Sequence, residues 1–278
     1  MMMVIRSKKF LSFLGFLFLI SGLNAANAAS ISEKLDQAIA GAQRTPAYAE
    51  RDQFRHPKET LLFFGLEANQ SVVEITPGGG WYTEILAPVL KDNGVYYPAS
   101  YKLHDEIHPY FVGVDERFAK KLAADPASYD KARWVHFDPN NPQFAPDGPV
   151  DMVLTFRNVH NWAKAHTAEW MFDGFARALK MGGILGVVEH RAKPGTPFED
   201  QIKSGYMTVE YVVALAEEAG FQLIDSSEVN ANAKDTKDYP GGVWNLLPNL
   251  RNVAEEDKAR MAAIGESDRM TLKFKKVR

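Results

Sequence analysis

From residue 71 onward, short apolar runs rich in Val, Ile, Tyr and Phe recur at 72–75, 95–99, 134–137, 152–156 and 184–189. Runs of this length predict strands, and the longer amphipathic stretches between them predict helices at 81–91, 115–124 and 167–180. The last of these helices is expected to stop at Gly182-Gly183 in the manner of a C-cap. A helix at 209–219, closed by Gly220, leads to a sixth strand at 221–229. The run 270–277 alternates Leu272 and Phe274 with lysines, as a strand near a sheet edge should. Strands separated by helical crossovers specify a parallel sheet. The pattern therefore predicts an α/β fold, Rossmann-like, with a seven-stranded mostly parallel sheet flanked by helices.

Upstream, Ile31, Leu35 and Ile39 share one helical face, and Pro57 and Gly65 bracket a second short helix. Residues 29–70 are thus a helical lead-in to a domain at 71–278. Between the sixth and seventh strands lies an insert at 230–267, longer than most connections; such segments serve either as lids or as outer packing.

Composition narrows the setting. The 278 residues are 46% hydrophobic and 24% charged, enough to bury one sizeable core. The N-terminus departs from this average: Arg6, Lys8 and Lys9 precede the apolar run 10–20, and small residues end it at Ala26-Asn27-Ala28. This is the pattern of a secretory signal over 1–28, cleaved after Ala28, and the run is too short for a membrane span. A periplasmic or secreted protein without a stable span after cleavage is expected. Loss of the three basic residues leaves 29 basic against 35 acidic side chains, and an acidic surface argues against nucleic acid. The absence of cysteine suits an oxidising compartment and removes thiolate chemistry.

The first strand ends in an acid and runs into glycines ahead of a helix, Glu74-Ile75-Thr76-Pro77-Gly78-Gly79-Gly80. Such a turn brings main-chain N–H groups and a helix N-terminus up to a ligand. With this turn in place, the segments EITPGGGWYTEILAP, LTFRNVHNW, GGILGVVEHR and ESDRMTLKF resemble class I S-adenosylmethionine-dependent methyltransferases, and more narrowly a bacterial group of exported predicted methyltransferases. The resemblance implies an antiparallel seventh strand, S-adenosyl-L-methionine as cofactor over the carboxyl ends of strands one to four, and a small-molecule acceptor. It places Glu74 as the acid closing strand one, with Thr76 at the first glycine of the family turn, Gly78 and Gly80 at the second and third, and Pro77 and Gly79 between them. It puts Asp138 near the adenine amine, although a turn before Pro139 would use the same residue, and it sets Asn158, His160 and Trp162 beside the cofactor methionine and the acceptor. The sequence departs from the family at strand two, where Ala99 and Ser100 stand in place of the ribose-binding acid and only Asp105 or Glu106 follow nearby.

A methyl transfer to a hydroxyl or protonated amine needs a base. His160 is the first candidate and His190 the second, each with the alternative of a histidine capping a helix or bonded to a carboxylate; Glu189 beside Arg191 also reads as a surface pair. Arg51 and Arg55, with Asp52, Phe54 and His56, form either a solvated loop or a clamp for a carboxylate of the cofactor or acceptor. Trp81 and Tyr82 either face the ligand or fill the core. His104, Asp105 and His108 have metal-ligand spacing but lack the HExxH arrangement, and no metal is expected. A ligand-binding protein that keeps the fold without transfer, and a cofactor-free hydrolase or lyase using the histidines, are the alternative functions.

Overall fold

The computed structural model describes residues 29–104 and 108–278. The expected signal segment and the acids Asp105 and Glu106 lie outside the described residues. All seven predicted strands are present: β1 (Ser71–Ile75), β2 (Val95–Tyr101), β3 (Val135–Phe137), β4 (Val150–Phe156), β5 (Leu179–His190), β6 (Phe221–Ser227) and β7 (Arg269–Lys276). They form one sheet in the order β3-β2-β1-β4-β5-β7-β6, and β7 runs antiparallel to both of its neighbours. The sheet is thus mostly parallel, with β7 one strand in from the edge.

Helices precede the sheet as α1 (Ile31–Ile39), α2 (Pro46–Ala49), α3 (Asp52–Arg55) and α4 (Pro57–Phe64). Within the alternating part they are α5 (Thr83–Leu90), α6 (Pro109–Ala124), α7 (Pro126–Tyr129), α8 (Val159–Lys164), α9 (Ala168–Ala178), α10 (Phe198–Ser204) and α11 (Val209–Glu218), and the insert after β6 carries α12 (Glu255–Ile264). No described helix is long and apolar enough to cross a membrane.

Successive strand residues point to opposite faces, so each central strand feeds two cores. Val73, Val153 and Val187 pack with Phe172 and Phe175 of α9, whereas Val72, Met152 and Leu154 pack with Leu35, Phe64 and Ile85 of α1, α4 and α5. The capping box of α1 (Ser30 with Glu33) and the left-handed Gly65 after α4 fix the ends of two helices that cover the second face.

One expectation is corrected. Helix α9 ends at Ala178, not at Gly182-Gly183, because Leu179 already pairs with Val150 as the first residue of β5. The register then shifts between Val150 and Met152, whose partner is Ile184, and Gly182 sits at φ +78° inside this irregularity. The glycines therefore make a bulge in a long strand, a role that a C-cap pattern imitates.

Gly186 sets the approach of α4 to the sheet. A Cβ there would stand 2.7 Å from Leu154 Cδ2 and 2.9 Å from the Phe64 ring, both fully buried. Gly186→Ala is expected to destabilise the protein by about 1–3 kcal/mol in urea unfolding through overpacking; an unchanged midpoint would show that α4 is free to move.

Candidate active site

At the carboxyl ends of β1, β4 and β5 lies a cavity of about 390 Å³. This is within the ordinary size range of small-molecule sites. The glycine turn supplies one wall. Thr76 N–H donates to Ala99 O of β2 (2.8 Å), while Thr76 itself adopts φ +48°, an unusual conformation for a β-branched residue that the surrounding turn must hold. Its Oγ1 is buried without a hydrogen-bond partner. Gly78 follows at φ +60°, and a Cβ added there would meet nothing within 4 Å, so the turn leaves open space on the cavity side. Asn158 closes the turn from β4, with Nδ2 donating to Ile75 O (3.1 Å) and Thr155 Oγ1 (3.2 Å).

Glu74 also lines the cavity, but its carboxyl is buried and accepts from Tyr96 OH and Thr83 Oγ1. Burial pushes its pKa up to about 7 from the ordinary 4.5, against the pull of those two hydrogen bonds. Pro77 and Gly79 line the cavity as well, and Tyr48 OH donates to Gly79 O (3.1 Å). Gly80 does not line it; its N–H closes the turn onto Pro77 O (2.9 Å).

The opposite wall carries both candidate histidines. His160 Nδ1 lies 3.1 Å from Glu189 Oε1, and the His160 main-chain N–H donates to Glu189 Oε2 (3.3 Å). Glu189 is completely buried and also accepts from His190 N–H (2.7 Å). Of its two readings, Glu189 is therefore a buried partner of His160 and not a surface partner of Arg191, which binds Asp268 and Glu228. Nδ1–H donating to Glu189 fixes the tautomer and leaves His160 Nε2 with its lone pair. The His190 ring lies 5.3 Å from that of His160, and its Nδ1 meets Ser267 Oγ. Burial first, then His160 and the charges of Arg157, Arg269 and Arg55, hold the His190 imidazole well below its ordinary pKa, which favours the neutral ring.

Four guanidinium groups complete the cavity. Arg51 and Arg55 come from the turn and helix before α4, Arg157 follows β4 at φ +63°, and Arg269 opens β7. They surround one carboxylate, Glu266: Arg51 Nε is 2.5 Å from Oε1, Arg55 Nε is 3.2 Å from Oε2, and Arg269 Nη2 also meets Oε2. Burial opposes ionisation of Glu266, but Arg269, Arg55, Arg157 and Arg51 together hold its carboxyl well below the usual range. Arg157 makes no side-chain hydrogen bond or ion pair among the described residues, and Arg51 Nη2, Arg55 Nη2 and Arg269 Nε are buried without partners. A buried donor left unpaired costs about 1–3 kcal/mol and more when charged, so this arrangement is expensive in the absence of a ligand.

Insert residues Val243, Trp244, Leu247 and Pro248 cover the cavity, with the Trp244 ring 6.1 Å from that of His160. The insert is pinned to the sheet rim by Asp235, which accepts from Tyr206 OH (3.0 Å) and Asp268 N–H (2.7 Å). Trp81 is buried with Arg44 and Arg55 over its ring at 4.9 and 4.7 Å, and Tyr82 stacks on Phe156. Trp162 is core, donating to Tyr101 OH (2.8 Å).

The structure thus brings together Glu74, Thr76, Pro77, Gly78, Gly79, Asn158, His160 and His190. It does not bring Asp138 to them: that side chain is exposed and accepts from Asn140 N–H (2.8 Å) in a turn. His108 caps α6 by accepting from Tyr110 N–H (3.1 Å), and its expected neighbour Asp105 lies outside the described residues. A different trio, His160, Glu189 and His190, offers ligand atoms within 4.8 Å of one another, but the four guanidinium groups on the same cavity oppose a cation there. Arg157, Glu266 and Arg269 escaped the sequence reading, although each falls in a segment that carries the family resemblance.

Among solved structures, the chain is similar to a SAM dependent methyltransferase from Aquifex aeolicus (TM-score 0.51, 18% identity, 67% of this chain and 88% of that one). It is also similar to the StiE O-MT, residues 961–1257 (0.53, 18%, 81% and 74%), and to the [4+2]-cyclase SpnF (0.57, 15%, 90% and 98%). The chain has the class I methyltransferase fold. No protein-family model and no curated protein sequence matches it. Because one methyltransferase fold hosts different chemistries, the function rests on the site.

S-adenosylmethionine fits the methyltransferase fold here at one end. The partnerless Thr76 Oγ1 and the open space at Gly78 suit a ligand on the glycine turn. At the end of β2, Ala99 carries no polar group and Ser100 Oγ accepts from Trp134 Nε1 (3.0 Å), so no carboxylate stands ready for ribose hydroxyls among the described residues.

Because the folded pKa of Glu74 is raised, its contribution to stability is full below about pH 4.5 and is lost as the pH rises through about 7. The shift corresponds to about 3 kcal/mol. Glu74→Gln is expected to remove most of this slope and to be about 2–3 kcal/mol more stable than the parent at pH 8.5 in urea unfolding, with little difference at pH 5. Parallel pH profiles would show that Glu74 is not the titrating group.

Proposed function

We propose that this chain is an exported S-adenosylmethionine-dependent methyltransferase acting on a small-molecule acceptor. The observation that carries the proposal is the meeting of the glycine turn with the buried His160–Glu189 pair across one cavity on a class I fold. Thr76, Pro77, Gly78 and Gly79 with Asn158 would hold the cofactor, which supplies an activated methyl group when bound. Methyl transfer is an in-line displacement, so the protein's main task is alignment of the acceptor, worth several kcal/mol of the barrier. His160 Nε2 takes the proton from the acceptor hydroxyl or amine, and Glu189 stabilises the imidazolium that results. His190, kept neutral, serves as a hydrogen-bonding neighbour and not as an acid. Insert residues over the cavity exclude water from the reacting groups.

A second reading, a binding protein that keeps the fold without transfer, is favoured by Ala99 and Ser100 in place of the ribose-binding acid. Loss of such a charged acceptor weakens binding by about 10- to 150-fold. Titration calorimetry with S-adenosylhomocysteine separates the two. The methyltransferase reading predicts a Kd below about 1 mM, weakened at least tenfold by Gly78→Val, which inserts a branched side chain at φ +60° on the ligand side. Absence of detectable binding to the parent protein would leave the second reading.

A further inference from the structure

The arginine cluster has more charge than the chain itself neutralises. Four guanidinium groups face one cavity with a single carboxylate, Glu266, between them. Of the other acids nearby, Asp52 is committed to Arg44 and Glu74 to Tyr96 and Thr83, while Glu189, bonded to His160 and to His190 N–H, offsets Arg157 in part and still leaves positive charge in excess. Arg55 and Arg269 are 3% and 2% exposed, yet Arg55 Nη2 and Arg269 Nε have no partner. Unpaired buried donors of this kind are costly, and an anion in the cavity would supply the missing partners.

We propose that Arg51, Arg55, Arg157 and Arg269 form the binding site for a small organic polyanion, a molecule bearing two or more carboxylate or phosphate groups. Guanidinium forks match both groups bidentately. The methionine end of S-adenosylmethionine does not satisfy this cluster, because its one carboxylate comes with an ammonium and a sulfonium and adds positive charge overall. A divalent cation would be repelled. The cavity volume of about 390 Å³ and its cover of insert residues limit the ligand to a small molecule. Assignment of the polyanion as the methyl acceptor rests on the methyltransferase reading; the anion site itself does not.

Thermal unfolding and titration calorimetry with succinate, citrate and inorganic phosphate, each matched in ionic strength with sodium chloride, test the site. At least one of these anions is expected to raise Tm beyond the chloride control and to bind with a Kd at or below about 1 mM. Preference for succinate and citrate would identify a polycarboxylate, and preference for phosphate a phosphate ester. Arg157→Gln is the informative variant, since Arg157 has no protein partner to lose; it is expected to fold with a ligand-free Tm at or above that of the parent and to weaken anion binding tenfold or more. Arg51→Gln gives a second measurement, with the same expected weakening of anion binding but a lower ligand-free Tm, because it also loses the ion pair to Glu266. No anion-specific shift in the parent, or unchanged affinity in both variants, would overturn the proposal. S-adenosylhomocysteine titrated into the same preparation keeps the two ideas apart: its binding without anion binding removes the anion site alone, and anion binding without it upholds the site and removes only its role as an acceptor site.

Discussion

The ion cluster centred on Glu266 is the constraint that assembles this site. Its carboxylate ties Arg51 and Arg55 of the lead-in to its own insert and to Arg269 at the start of β7, more than 200 residues further along the chain. Arg269 reinforces the same junction by donating to Phe54 O (3.1 Å). With Asn230 Nδ2 donating to Thr60 Oγ1 (3.0 Å) and Thr271 Oγ1 (3.0 Å), these contacts hold the lead-in, the insert and β7 together at the sheet rim. A buried ion cluster of this kind is weak evidence for stability, since the desolvation of each charge offsets much of the attraction. Its excess of positive charge is better explained by ligand binding than by folding.

The two halves of the crevice differ in how they meet a nucleoside cofactor. On the β1 and β4 side, backbone geometry and an unpartnered hydroxyl present a prepared surface. On the β2 side, Trp134 occupies the hydroxyl of Ser100, and the cavity includes no residue of β2 or β3. Solved structures of this fold include both methyltransferases and a cyclase, so the fold leaves open which chemistry the crevice performs. In this chain a carboxylate-oriented histidine faces a cationic wall across the crevice.

Periodicity made the sheet legible, because strands covered on both faces read as continuous apolar runs and their helical crossovers fix a parallel order. It misplaced the end of α9 because a glycine pair serves a bulge as readily as a C-cap, and only pairing of Leu179 with Val150 decides between them. The glycine turn, Asn158 and the two histidines were legible because they follow strand ends, where an open α/β sheet collects its ligands. Of the two readings open for Glu189, the surface pair with Arg191 fails because β5 ends at His190 and Arg191 turns to Asp268 and Glu228, while Glu189 is buried on His160. Arg157, Glu266 and Arg269 carry no local signature at all. They become a site only when the insert and β7 return to the rim.

On this proposal the glycine turn and the arginine cluster hold two different ligands side by side. Titration of S-adenosylhomocysteine in the absence and presence of a saturating polyanion tests it most directly. Two adjacent sites predict that the anion leaves the affinity for S-adenosylhomocysteine unchanged or makes it tighter. Competitive displacement, with the apparent Kd rising in proportion to anion concentration, would contradict the account by placing both ligands on the same arginines.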